Sequence, residues 1–475
     1  STLFDVGSEP DNANNCHSPY NPRKGQTMSM IPQGGSQPAV TGAPNISGSG
    51  DQSNHFAFAA MTSLFFIWGF ITALNDILIP QLKAAFSLNY TQAMLVQFCF
   101  FGAYFLVSPL AGKLIERIGY IKGIMTGLAT IALGCLLFYP AAEISVYALF
   151  LFGLFILASG VTILQVSANP YVAILGKEET AASRLSLAQA INSLGHTLAP
   201  LFGAALIFSA TADLSASAEV AGQTADAKSV QLPYLILAGV TLLTAAGFYF
   251  LKLPLLTPPV ATASPTQQLV TAESSIWQHR HLVLGVITLF CYVGVEVIAA
   301  DTIGLLGAAL NMQGITTLAS YTMAFMVLGY SLGLLLVPKV LSQRQALATS
   351  AALGLVLSIS ILVSDPSNTA ISALLWGWAG IPLLPDPISL VALLGLANAL
   401  VWPAVWPLAL AGLGSLTPKA SALLIMGIAG GALLPLLYGA LSQHFGAIAG
   451  YMVLLPCYAM ILYYALHGCQ VKSAR

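Results

Sequence analysis

From Phe56 onward the chain is a succession of apolar runs, each about 20 residues long, separated by short polar breaks. A helix of that length rises about 30 Å, the thickness of a bilayer's hydrocarbon, where every backbone amide must find its partner within the segment. Helices are therefore the conformation open to these runs. Twelve are read, near residues 56–82, 91–112, 122–140, 144–175, 185–209, 233–252, 281–310, 317–338, 346–363, 388–412, 420–441 and 447–467. The sequence thus predicts an all-α membrane protein of twelve transmembrane helices in two pseudo-symmetric six-helix bundles.

Charge agrees with this reading. Of 475 residues, 57% are hydrophobic and 7% are charged, against roughly 25% charged in a soluble domain. The net charge of -1 leaves no basic field for phosphates, which excludes nucleic acid as a partner; the expected surroundings are lipid. Basic loops resist translocation. With the amino terminus inside, only Lys83 and Lys228 of the sixteen Lys and Arg residues fall outside. Removing one middle helix would spoil that split, so both termini are expected on the cytoplasmic side.

Residues 1–55, rich in Ser, Gly, Pro, Asn and Gln, read as a disordered cytoplasmic tail. Residues 56–252 read as the amino-terminal bundle, 253–280 as a cytoplasmic linker containing LLTPPVATASPTQQ, 281–467 as the carboxy-terminal bundle and 468–475 as a second cytoplasmic tail. Arg184 precedes Pro200 by sixteen residues, as Lys419 precedes Pro435, and LFGAAL and LLYGAL follow the two prolines. Such a repeat fits a duplicated six-helix unit. Between helices 9 and 10, residues 364–387 carry Trp376 and Trp378 in a run that reads as a short interfacial helix.

Ionisable residues at membrane depth cost roughly 2.5–3.5 kcal/mol each on insertion scales and so call for a reason. They are Asp76, His196, Glu296 and Asp301. Asp76 sits beside Asn75 in LNDILIP, where Pro80 frees a carbonyl one turn back. Helix 4 carries Gln165 and Asn169 on one face ahead of Pro170, and helix 5 carries Gln189, Asn192 and His196 at helical spacing ahead of Pro200. In helix 10, Asn398, Trp402 and Trp406 share a face, with Pro403 and Pro407 expected to disrupt the helix. Amides serve hydroxyls, and flat rings serve the C–H side of a pyranose. The plainer alternatives are helix-to-helix glue for the amides and acids and packing or lipid contact for the tryptophans. Glu296 and Asp301 differ by about 140° on a regular helix; one faces the cavity and the other a neighbour, or the segment near Gly304 and Gly307 is unwound.

Walker, HExxH and GxSxG patterns are missing, as are clustered Cys/His ligands. Neither an enzyme nor a metal site is expected. The cysteines, Cys16, Cys99, Cys135, Cys291, Cys457 and Cys469, lack CxxC spacing and read as small apolar fillers.

The loop after helix 2, GKLIERIGYIKG, resembles the G-x-L-x-D-R-x-G-x-[RK]-[RK] signature of the major facilitator superfamily, with Glu116 at the acid position and Gly112, Arg117, Gly119 and Lys122 around it. The resemblance implies a cytoplasmic gate at these residues. Its counterpart after helix 8, PKVLSQRQ, keeps only the basic residues. Within the superfamily the chain resembles the fucose permease family over Phe56 to His467, through NDILIPQLK, QVSANPYV and RLSLAQAINSLG. The runs YTQAMLVQFCFFGAYF, YVGVEVIAADTIG and SALLIMGIAGGALLPLLYG look most like its bacterial glucose/galactose and N-acetylglucosamine branch. This likeness implies that Asp76 is the proton-linked acid and that the polar residues of helices 4 and 5 touch sugar. Gln165 stands where the fucose permease has a glutamate, so Glu296 or Asp301 would supply any second coupling acid. The function expected is import of a neutral hexose or N-acetylhexosamine with a proton across the bacterial inner membrane, by a monomer without a cofactor. Sodium coupling, a drug/proton exporter and a non-transporting sugar sensor are the alternatives.

Overall fold

The computed structural model describes residues 49–85, 90–210, 231–251, 253–254, 276–312, 317–337 and 339–471, with backbone alone at 49–54, 74–85, 90–95, 97 and 200–210. The expected tail at 1–55 and the linker at 253–280 lie largely outside these residues.

The amino-terminal half is built from α1 (Ser49–Ala85), α2 (Tyr90–Ile118), α3 (Tyr120–Glu143), α4 (Tyr147–Ile174), α5 (Ala181–Ala210) and α6 (Gln231–Phe250). The carboxy-terminal half follows with α7 (Arg280–Ala309), α8 (Leu318–Leu336) and α9 (Gln343–Val363). A short α10 (Ala370–Leu375) precedes α11 (Asp386–Ala399), α12 (Val401–Leu410), α13 (Thr417–Met426), α14 (Gly430–Phe445) and α15 (Leu454–Tyr463). Eleven spans among the described residues are long and apolar enough to cross a membrane, counting α11 with α12 and α13 with α14 as one span each. The twelfth is α5, whose 30 residues rise about 45 Å while carrying the polar face of Gln189, Asn192 and His196.

The tenth span, in which Pro403 and Pro407 are expected to disrupt the helix, breaks ahead of Pro403 while Pro407 lies inside a continuous helix, and the eleventh, expected as one helix, is interrupted as well. Pro403 has no amide hydrogen for the carbonyl of Ala399, and α11 stops at that residue; Ala404 bonds back to Leu400 to restart the ladder as α12. The eleventh span passes through a 3-10 turn at Gly427–Ala429, and the twelfth ends in a π turn at Tyr464–Gly468. By contrast α7 is continuous from Arg280 to Ala309, which removes the unwound alternative for Glu296 and Asp301.

Within the halves, α1 packs on α5, α3 on α4 and α6, α7 on α14, and α11 on α8 and α9. Small residues allow the closest approach: a Cβ on Gly69 would run into the Asn192 carbonyl, and one on Gly195 into that of Phe66. Between the halves, α2 packs on α13, α5 on α8 and α12, and α4 on α13. The segment between α9 and α11 is tied down as well. Trp376 is buried against Tyr321 and Phe325 and donates to the Pro382 carbonyl at 3.1 Å, whereas Trp378 is 83% exposed. This segment is thus anchored by one tryptophan and presents the other outward.

Candidate functional site

Midway along α4 the side chain of Gln165 is buried and donates through Nε2 to the Tyr104 hydroxyl of α2 at 3.0 Å. One turn on, Asn169 donates to the backbone carbonyl of Gln165 at 3.0 Å, which aims its own oxygen away from α4. That oxygen accepts from Trp402 Nε1 of α12 at 3.3 Å. The two polar stripes read from helices 4 and 10 therefore meet across the boundary between the halves.

Around this bond the carboxy-terminal half supplies aromatic surface. The ring of Trp402 lies 5.6 Å from that of Trp406 and 6.2 Å from that of Tyr292, centroid to centroid. Both tryptophans are buried, at 4% and 0% exposure, so neither faces lipid. Tyr292 is buried one turn before Glu296 on α7, and Tyr330 of α8 is buried too. Asn398 accepts from the Tyr458 hydroxyl at 2.7 Å. Glu296 is half-buried on the Tyr292 face of α7, while Asp301, on another face of the same continuous helix, is exposed.

Among the described residues, Gln165 Oε1, Gln189 Oε1, Asn398 Nδ2 and Trp406 Nε1 of the polar stripes are buried without a hydrogen-bond partner. Buried polar groups are nearly always paired, and an unpaired one costs about 1–3 kcal/mol. The two acceptors belong to the amino-terminal half and the two donors to the other. A hydroxyl both donates and accepts, so each of these atoms suits a hydroxyl group.

Not every expected residue joins this group. Asn192 donates to the Phe65 carbonyl of α1 at 2.9 Å, and His196 Nε2 lies 3.0 Å from Thr72 Oγ1 of α1. Their described contacts hold α1 against α5. The side chains of Asn75 and Asp76 lie outside the described residues, although their helix continues past Pro80 to Ala85. The phenols of Tyr104, Tyr292, Tyr330 and Tyr458 were not anticipated. The available signal was that a tyrosine inside an apolar span must find a partner for its hydroxyl, and that Tyr292 precedes Glu296 by four. A cavity of about 650 Å³ between α2, α7 and α14 is lined by residues such as Phe98, Phe105, Ile287 and Leu433. It offers almost no polar surface and does not suit a sugar.

At the end of the bundle that bears the basic loops, the halves are joined. Glu116 pairs with Lys419 at 3.2 Å, the Ser108 hydroxyl donates to the Ala422 carbonyl at 2.5 Å, and a Cβ on Gly112 would meet that of Ala422. Gly119 has φ +80, a conformation that lets α2 turn at once into α3. Arg117 and Lys122 are exposed. The loop after α8 lacks the acid of its counterpart, and beside it the contacts between the halves run to backbone carbonyls: Ser183 donates to that of Val337, and Gln343 to that of Glu178 at 2.7 Å.

Comparison with known proteins places this architecture. The family model described as Major Facilitator Superfamily matches residues 56–423. A glucose/galactose transporter of Brucella abortus biovar 1 (strain 9-941) is 44% identical over 433 residues, covering 90% of this chain and 98% of that protein. The L-fucose-proton symporter of Escherichia coli (strain K12) is 32% identical over 430 residues, covering 88% and 94%. The solved structure of the transporter FucP in the outward conformation superposes with a TM-score of 0.72 at 30% identity, covering 87% of this chain and 99% of that one. The chain belongs to the major facilitator superfamily, within its fucose permease family.

Proposed function

We propose that this protein is a secondary active sugar importer that carries a neutral hexose with a proton by alternating access. The observation that carries the reading is the set of four unpartnered polar atoms divided as acceptors and donors between the halves, beside the Trp402 and Trp406 rings. It agrees with the names of the relatives, a glucose/galactose transporter and an L-fucose-proton symporter. Gln165, Gln189, Asn398 and Trp406 bind hydroxyls, Trp402 stacks on the ring, and Asn169 holds Trp402 until sugar enters. Asn192 and His196 position α1, which carries Asn75 and Asp76. Asp76 takes the coupling proton, and Glu296 is the second acid, with Asp301 outside the sugar contact. Gly112, Glu116, Arg117, Gly119 and Lys122 form the inner gate. The protein lies in the bacterial inner membrane as a monomer with both ends cytoplasmic, an orientation supported by the fourteen-to-two split of its basic residues.

The test is counterflow by purified protein in liposomes, against a panel of glucose, galactose, fucose and N-acetylglucosamine, with and without a pH gradient. Exchange of one or more hexoses, with accumulation only when the outside is acidic, is expected. No exchange of any sugar, or exchange of amphipathic cations instead, refutes the importer. Accumulation that follows a sodium gradient at constant pH keeps the sugar and replaces the proton.

A further inference from the structure

We propose that the apolar groove between α2, α7 and α14 binds one acyl chain of an acidic phospholipid, whose phosphate lies among Lys113, Arg117 and Arg280. The groove, of about 650 Å³, has a wall from each half of the molecule: Gly102 and Leu106 stand on α2, Ile287 on α7, Met426 on α13 and Leu433 on α14. Its origin is a missing side chain. Gly69 and Gly195 are points of close helix approach, whereas a Cβ on Gly102 would meet nothing within 4 Å. At this level α2 therefore faces the other half across a gap. An empty gap forfeits dispersion contacts, and water would find no polar partners in it. Hydrocarbon is the filling that suits it. Leu106, Ile287 and Leu433 are exposed on its walls, so the groove opens sideways, where a membrane would supply a chain.

Length and charge identify the kind of lipid. Trp277, in the turn ahead of α7, and Phe290 both line the groove; thirteen residues of helix rise about 20 Å, close to the hydrocarbon depth of one leaflet rather than of the whole bilayer. Trp277 is exposed at one end, the place of a tryptophan at headgroup level. Toward that same end each wall leads to a cation two turns on, and so on the same face: Leu106 to Lys113, Ile287 to Arg280 and Met426 to Lys419. Arg117 follows Lys113 by one turn. Lys419 is engaged by Glu116, which is the acid of these helix ends among the described residues. Lys113, Arg117 and Arg280 are exposed, and among the described residues none of them forms an ion pair. Three unpaired cations favour a net negative headgroup over a zwitterionic one, which would bring a further cation into the cluster.

The site lies apart from the polar residues of α4, α5 and α11, and its existence does not depend on the sugar reading. Full-length protein is reconstituted in phosphatidylcholine liposomes, and phosphatidylglycerol with brominated acyl chains is added in increasing mole fraction. Bromine quenches a nearby indole, and subtracting the signal of Trp277→Phe isolates Trp277. Half of its quenching should need roughly tenfold less brominated phosphatidylglycerol than brominated phosphatidylcholine. Arg280→Gln combined with Lys113→Gln should bring the two lipids within about twofold. Gly102→Phe fills the groove at a position with open space around it, so the variant folds, and it should reduce the preference several-fold with every cation kept. Equal quenching by the two lipids in the parent overturns the acidic lipid. A full preference that survives Gly102→Phe is surface attraction alone and overturns the groove. Trp277 shielded from both lipids, in a protein that crosslinks as a dimer, gives the groove to a second copy of the chain and overturns the lipid.

Discussion

Gln165 and Gln189 each keep a buried carbonyl oxygen without a hydrogen, from neighbouring helices of one half. Replacing either by Ala should weaken sugar binding by about 1–3 kcal/mol, because a hydroxyl that found its acceptor loses it; titration calorimetry on the folded variants measures this, and wild-type affinity in both would remove them from the site. Trp402→Phe keeps a ring but deletes the donor to Asn169. Sugar should still quench tryptophan fluorescence through Trp406, and apparent affinity should rise a few-fold, since no bond across the halves must open first; weaker binding instead would make Trp402 Nε1 a sugar contact. At Asp76 the Asn variant mimics the protonated acid. It should exchange sugar yet lose pH-driven accumulation, which at about 2.3 kcal/mol per charge per 100 mV supports one to two decades of concentration; full accumulation by the variant would shift the coupling role to Glu296. Of these residues, the amides and tryptophans were legible because helical spacing puts them on one face. Which amide keeps an unpartnered atom and which bonds a neighbouring helix was not, for Gln189 and Asn192 differ by only three positions. The Gly69 and Gly195 approach that draws Asn192 onto α1 is a tertiary fact. The phenols escaped notice because tyrosine is common in apolar spans without a polar role.

Among the elements, the break between α11 and α12 has one chemical origin, the missing amide of Pro403. Pro403→Ala restores a donor and should knit the two pieces into a straighter helix. Hydrogen exchange around Leu400 should then slow markedly, and transport turnover should fall several-fold with sugar affinity kept within about threefold, as expected when a hinge rather than a contact is lost. Unchanged turnover with slowed exchange would show the break to be passive. The existence of the spans could be read from length and hydrophobicity, since bilayer thickness fixes both. The breaks were only half legible: proline marks them, but Pro170 and Pro407 sit inside continuous helices, and surrounding contacts decide which proline yields.

For the whole molecule, the halves touch where the basic loops are and across the Asn169–Trp402 bond, so this structure is closed at the end that the proposed orientation puts in the cytoplasm. Glu116→Gln removes one partner of the gate's ion pair. The population with that end open should rise a few-fold, because a partly exposed pair contributes about 0.2–1 kcal/mol; labelling of a cysteine introduced at Ser421, which is fully buried beneath the gate, reports the shift. Equal labelling in variant and parent would assign closure to Ser108, Ser183 and Gln343 instead. The duplicated plan was visible in the sequence through the central break and the Arg184/Lys419 echo, but the second set of contacts, made with backbone carbonyls, carried no motif to find.

The Glu116–Lys419 pair has side chains 27% and 48% exposed, which leaves it open to the cytoplasm's own ions under the proposed orientation. At physiological salt the Debye length is about 8 Å, and it shrinks as salt rises. A cell losing water to a hyperosmotic medium concentrates its internal electrolytes, and those ions weaken this pair while leaving the carbonyl contacts nearly untouched. Inward release would quicken as turgor falls, so that the uptake of a neutral osmolyte-sized solute is tied to the hydration of the cell by a single solvated charge pair.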